Sequence, residues 1–217
     1  MKKDNFIYLL VALVIFLVVL PVTNDLQLIS YEVSRPMAYT CLLAIGVWSL
    51  RDSIRTFRIG MALAAIGIIT NGIAIANDAP VFYYLSFAAM FVFLLLAIRS
   101  ALRQVVFDTE INSNRLYGAV CVYLMLGVLW ALMYSALGEL DPDAFAGSLS
   151  IGNEKWSPDW IYYSFVTLTT LGYGDILPVS STARALAYSE AVVGVFYMAM
   201  LVAALVGSYA AANTNKD

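Results

Sequence analysis

The sequence predicts an all-α integral membrane protein with six transmembrane helices and a shorter re-entrant segment before the last of them. Three observations carry that prediction. Of its residues, 62% are hydrophobic and only 12% charged, with a mean hydropathy of +0.81, far from the balance of a soluble domain. Apolar runs long enough to cross a bilayer recur along the chain. One further apolar run is too short to cross, and it ends in a glycine-rich stretch, TLTTLGYGDILP, at 167–178. In hydrocarbon every backbone polar group must bond within the protein, which selects helices; no stretch has the alternation of an outer-membrane barrel.

The first span is read over about Phe6–Val22, within MKKDNFIYLLVALVIFLVVLPV. Its basic start is shared with secretory signals, but the run is long, no A-x-A-like site follows, and further spans come after it. The second covers about Pro36–Leu50, the third about Ile59–Ala76 and the fourth about Val81–Ile98. Pro36 and Pro80 stand where helices begin, positions that suit a residue without an N–H. Gly60, Ala64 and Gly67 in the third span are small residues suited to close helix contact. The fifth span covers about Leu116–Leu137 and is followed by a polar loop, 138–157. The short segment Trp160–Thr169 descends into the glycine-rich stretch, and the last helix runs over about Arg184–Ala211.

The polar linker 99–115, RSALRQVVFDTEINSNR, divides a four-helix domain at 1–98 from a second domain at 116–217. Leu102, Val105 and Val106 place one apolar face on a short interfacial helix within it. The few residues after the last span lead us to expect no cytoplasmic ligand-binding domain. With the N-terminus inside, Lys2, Lys3, Arg51, Arg55, Arg58, Arg99, Arg103, Arg115 and Lys216 all face the cytoplasm, and only Arg35, Lys155 and Arg184 face out. Both termini are therefore expected in the cytoplasm, on a multi-pass protein of the cell (inner) membrane.

Composition also excludes. There is no histidine, so histidine metal sites and histidine general bases are ruled out. A formal net charge of −3 without a basic cluster offers nothing to nucleic acid. Cys41 and Cys121 each lie inside an apolar run and read as free thiols. The fourth span carries no arginine, whereas sensing a membrane potential requires charge in the field. The loops expected outside carry acids, among them Glu139, Asp141, Asp143, Glu154 and Asp159, a pattern that fits a salt-screened attraction for cations and ordinary loop solvation equally well.

Non-helical backbone at membrane depth must be buried in protein or line a water-filled path. Gly172 and Gly174 permit backbone angles that residues with a Cβ resist, so that successive carbonyls turn toward a common axis. A row of such oxygens replaces the water shell of a dehydrated monovalent cation. The Thr170 hydroxyl adds another oxygen at the inner end. The half-helix points its C-terminus, the negative end of its dipole, toward the middle of the membrane. One chain supplies one strand, and encircling an ion takes several, so the chemistry calls for an oligomer around the motif.

TTLGYGD resembles the selectivity-filter signature of potassium channels, whose common form is T-V/I-G-Y-G. Trp160, Tyr162 and Tyr163 on the half-helix, Pro178 after the motif, and Gly194 in the last span extend the resemblance over 116–211; the first four spans match only the six-span layout of the superfamily. The resemblance implies a homotetrameric, potassium-selective channel that conducts passively among membrane lipids, with potassium ions in the filter and no other cofactor. It is not an enzyme. A weakly selective cation channel is the alternative. Thr170, Leu171, Gly172 and Tyr173 would present carbonyls to potassium, with Gly174 at the outer mouth. Leu171 departs from the usual Val or Ile, and its side chain is expected to point into the pore-helix packing. Tyr173 bears on selectivity, since relatives with Asp there resemble non-selective channels. Thr169, Tyr162, Tyr163 and Asp175 would support the filter, Asp175 within reach of one of the two tyrosines. Glu190, an acid inside a span, is a functional-site candidate, and a bond to the filter support is favoured over direct ion contact. Gly194 would be a gating hinge, with Val195, Met198, Val202 and Val206 lining the inner cavity.

Overall fold

A computed structural model describes residues 5–26, 39–41, 43–44, 46–47, 54–77, 79–107, 113–147 and 158–214. In chain order the elements are α1 (Asn5–Asp25), α2 (Ile54–Asn77), α3 (Pro80–Phe107), α4 (Ser113–Leu140), β1 (Phe145–Gly147), α5 (Pro158–Leu168), β2 (Ile176–Pro178) and α6 (Ser181–Thr214). Four of the described helices are long and apolar enough to cross a membrane: Ile54–Asn77, Val81–Val105, Asn114–Leu140 and Ser181–Ala204. Phe6–Val18 is a shorter apolar helix. The expected second span falls mostly outside the described residues; 39–41, 43–44 and 46–47 are helical, and Pro36 is outside.

The chain divides into two compact units, Met1–Met125 and Leu126–Asp217, with the division inside α4. The linker read at 99–115 is, through Phe107, a continuation of α3, and 108–112 lie outside the described residues.

In the first unit, helix pairing follows residue size. The face of α2 that is buried carries Gly60, Ala64, Gly67, Thr70, Asn71 and Ala74. Small side chains at this helical spacing let backbones approach, the main source of helix contact where lipid is as apolar as leucine. From α3, Met90, Phe93, Leu94 and Ala97 are buried in the same unit. Buried hydroxyls bond to their own helices: Thr70 Oγ1 donates to the Ile66 carbonyl at 2.7 Å and Ser86 Oγ to that of Tyr83 at 2.8 Å. The Phe6 N–H, at the start of α1, donates to Asn114 Oδ1 at 3.1 Å, which satisfies one of the orphan donors of a helix N-terminus.

The second unit is built around α5. Pro158 and Asp159 open it, a proline where no N–H is needed and an acid at the positive end of the dipole. Its aromatic face joins a buried cluster of Tyr134, Phe145, Trp160 and Tyr163 with Ala131, Ala144, Ile176 and Ala183. The rings meet edge to face, Tyr134 on Tyr163 at 4.8 Å and Phe145 on Trp160 at 4.9 Å between centroids. β1 and β2 pair antiparallel with Phe145 opposite Pro178, Ala146 opposite Leu177 and Gly147 opposite Ile176. No strand was expected in the loop 138–157, and α4 runs on to Leu140. α6 starts at Ser181 rather than Arg184 because Ser180 caps it: its Oγ accepts from the Ala183 N–H at 3.1 Å.

Candidate functional site

The segment after α5 turns its N–H groups back onto the helix end. The Thr170 N–H donates to the Thr167 carbonyl at 2.9 Å. Those of Leu171 and Gly172 both donate to the Val166 carbonyl, at 2.9 and 3.2 Å. In a trans peptide the carbonyl points opposite to the N–H that follows it. The carbonyls of Thr169, Thr170 and Leu171 are thus all directed away from the helix, on one side of the strand. The helix's last carbonyls are satisfied by the same bonds.

The backbone angles fit this arrangement. Thr170, Gly172 and Gly174 have positive φ, at 59°, 58° and 79°, and Thr170 is the only non-glycine residue with positive φ among those described. Left-handed residues thus alternate with Leu171 and Tyr173. A β-branched residue in that region is a true outlier, and such strain persists where the surroundings impose it, typically at functional sites. A Cβ at Gly172 or Gly174 would meet nothing within 4 Å, so glycine is required there by φ and not by space.

All five residues from Thr170 to Gly174 are exposed in the single chain. Leu171 is 55% exposed and Tyr173 68%. Leu171 is thus not covered by its own α5, and any packing that covers it lies beyond one chain. Thr169 turns its hydroxyl back to the Phe165 carbonyl at 2.6 Å.

Behind the strand, Tyr162 Oη donates to Asp175 Oδ2 at 2.6 Å, and Asp175 Oδ1 accepts from the Ile176 N–H at 3.1 Å. Tyr163 is instead buried in the aromatic cluster. The Tyr162 hydroxyl holds the Asp175 carboxyl below the usual carboxylate range. A carboxyl with a depressed value contributes stability that is fully present above its ordinary range and lost only as pH falls through the lowered value. We expect Tyr162→Phe to raise the pH at which acid disturbs conduction, measured as flux against external pH for both proteins. An unmoved acid limb in Tyr162→Phe would disconnect this bond from the mouth of the strand.

Glu190 is wholly buried. Tyr134 Oη donates to its Oε2 at 2.6 Å, and its Oε1 lies in a short hydrogen bond with Ser164 Oγ on α5. One turn on, Gly194 is pressed against the end of α5: a Cβ there would lie 2.3 Å from the Leu168 carbonyl oxygen. α6 is helical through Gly194 without a break. Val195, Met198 and Val202 are on the exposed side of α6, at 54%, 44% and 53%. Val206 is in the helix, but its side chain lies outside the described residues. Ser164, Tyr134 and Gly147 were missed by sequence reasoning. A buried acid in a span signals that hydroxyl partners exist, but not which ones.

Residues 118–210 match a family model described as "Ion channel". This stretch carries the ion-channel pattern. The channel segment covers α5, the strand that follows it and most of α4 and α6. Over 79 residues the chain is 32% identical to the inward rectifier potassium channel Kirbac3.1 of Paramagnetospirillum magnetotacticum. That stretch is 36% of this chain and 24% of the relative, so the chain spans about a quarter of that relative's length. No solved structure matches. The resemblance of TTLGYGD to the potassium-channel filter is supported by both findings, and both matches are to ion channels rather than to enzymes.

Proposed function

We propose that the protein is a potassium-selective channel that conducts passively through a central pore formed by four copies of the chain, with Thr170, Leu171, Gly172, Tyr173 and Gly174 as the filter. The observation that carries this reading is the strand 169–174. The N–H groups of Thr169, Thr170, Leu171 and Gly172 bond back to α5, the carbonyls of Thr169, Thr170 and Leu171 are directed away from it, and all six residues are left exposed by a single chain. Carbonyls aimed into empty space on one chain become a ligand cage only when further copies surround the axis. The exposed Leu171 and Tyr173 and the exposed apolar side of α6 would be covered in the same step. Six spans, cytoplasmic termini and a place in the cell (inner) membrane complete the proposal. They rest on the apolar runs and on the lysine and arginine bias.

The test is flux into liposomes holding the purified protein, driven by potassium or by matched sodium, with and without barium. Potassium flux that sodium does not replace and barium blocks is the expected result. Equal flux with both ions would favour the weakly selective channel, for which Leu171 in place of Val or Ile is the specific observation. The absence of arginine from 81–98, with Arg99 and Arg103 only at the end of the helix, predicts opening without steep voltage dependence. Recordings across a planar bilayer check it, and a steep charge-driven opening would overturn it.

A further inference from the structure

We infer that Glu190 is a neutral carboxylic acid whose proton completes a hydrogen-bond chain joining α4, α5 and α6, and that it is thereby a positioning residue for the strand that α5 carries. The argument is a count of hydrogens. Three short oxygen–oxygen contacts meet here: Tyr134 Oη with Glu190 Oε2 at 2.6 Å, Ser164 Oγ with Glu190 Oε1, and Ser164 Oγ with the Gly127 carbonyl at 2.7 Å. Each needs one hydrogen between its oxygens. Tyr134 supplies one and Ser164 supplies one. The Gly127 carbonyl has none to give. The third must come from the carboxyl.

With Glu190 protonated every contact is satisfied in one direction. Tyr134 donates to Oε2, the Oε1 hydroxyl donates to Ser164 Oγ, and Ser164 donates to the Gly127 carbonyl. With Glu190 ionised, Ser164 would turn its hydrogen to the carboxylate, and two oxygens would face each other at 2.7 Å with nothing between them.

The surroundings agree. Among the described residues, both groups bonded to the carboxyl are hydroxyls, and no cation is paired with it. The other titratable side chain facing it is Tyr163 on α5, whose hydroxyl is engaged with Thr167. A carboxylate wholly buried inside a span, with no cation beside it, is an arrangement proteins avoid. Gly127 makes the last link possible: with no Cβ there, α5 comes close enough for Phe165 to sit where one would be.

The protonation does not depend on what the pore conducts; the positioning role rests on the filter reading. The experiment is infrared spectroscopy of the purified wild-type protein and E190Q at neutral pH, with flux measured on the same samples. We expect a carboxylic-acid C=O stretch in the wild type that is missing in E190Q. We also expect E190Q to conduct within about twofold of wild type, because an amide accepts from Tyr134 and donates to Ser164 as the acid does. Glu190→Ala leaves buried hydroxyls unpaired and should lower flux about tenfold or more. A wild-type spectrum with no such stretch, or E190Q as damaged as Glu190→Ala, overturns the inference. If E190Q does not assemble, Tyr134→Phe replaces it. Losing the bond to Oε2 raises the C=O frequency of a neutral acid, and an unchanged carboxylic-acid region overturns the inference. If the band is present but the wild type passes no ion, the filter reading fails and the protonation stands.

Discussion

Gly194→Ala is expected to lower potassium flux at least tenfold and to lower the melting temperature of the assembled protein. The added Cβ would lie 2.3 Å from the Leu168 carbonyl oxygen and 3.0 Å from its Cδ1. The first of these neighbours is backbone, so no side-chain rotation relieves the overlap; α6 must move off the end of α5. Overpacking of this kind costs about 1–3 kcal/mol per site, and the proposed assembly repeats it in each copy. Leu168 is the last residue of α5, directly before the strand, so a displacement there reaches the carbonyls of 169–171. A hinge makes a different prediction: altered opening with an undiminished melting temperature. Gly72→Ala is the control, since a Cβ there meets nothing within 4 Å, and it should leave flux and stability intact or slightly improved.

Gly194 also shows where sequence reading stops. A glycine in the last span, twenty residues after Gly174, fits a hinge by resemblance. In space it shares a face of α6 with Glu190 and Ala183, all buried, while Val195, Met198 and Val202 lie on the exposed side. The helix period groups these residues from sequence alone, but it does not say which element each face meets.

The four spans found among the described residues were legible because their signal is local: about twenty apolar residues need no partner to be recognised. The candidate strand was legible for the same reason, as a short run of glycines and threonines after a half-helix. Glu190 stood out because acids in spans are costly. Its partners did not, since Tyr134 and Ser164 are 56 and 26 residues away in sequence and neither carries a mark of its role. The β1–β2 pair was invisible for a second reason. Three residues, Phe145–Gly147, are too few for alternation to register, and their partner strand lies across α5. Leu171 illustrates a third limit. Whether an apolar side chain packs on its own helix or awaits a neighbouring copy is a property of the assembly, and the single chain leaves it 55% exposed.

That hairpin carries the other large expected effect. Gly147 has φ 115°, and a Cβ on it would stand 2.0 Å from the Asp175 carbonyl oxygen and 3.2 Å from Ile176 Cα. Glycine is thus required twice, by the backbone angle and by the approach of β2. Gly147→Ala adds about 1–2 kcal/mol of backbone strain to that overlap, and β1 must leave β2 to relieve it. β2 begins one residue after Asp175, whose carboxylate is held by Tyr162 and by the Ile176 N–H. Freed of β1, the outer end of the strand 170–174 loses the element that anchors it. Helix contacts among α4, α5 and α6 do not involve Gly147, so assembly should survive. We therefore expect Gly147→Ala to assemble normally, to pass potassium at least tenfold more slowly, and to discriminate less against sodium in the same liposome assay. Ala146→Ser, on an exposed neighbouring position, should behave as wild type. Wild-type flux and selectivity in Gly147→Ala would show that the mouth is held from α5 alone, through Tyr162 and Asp175.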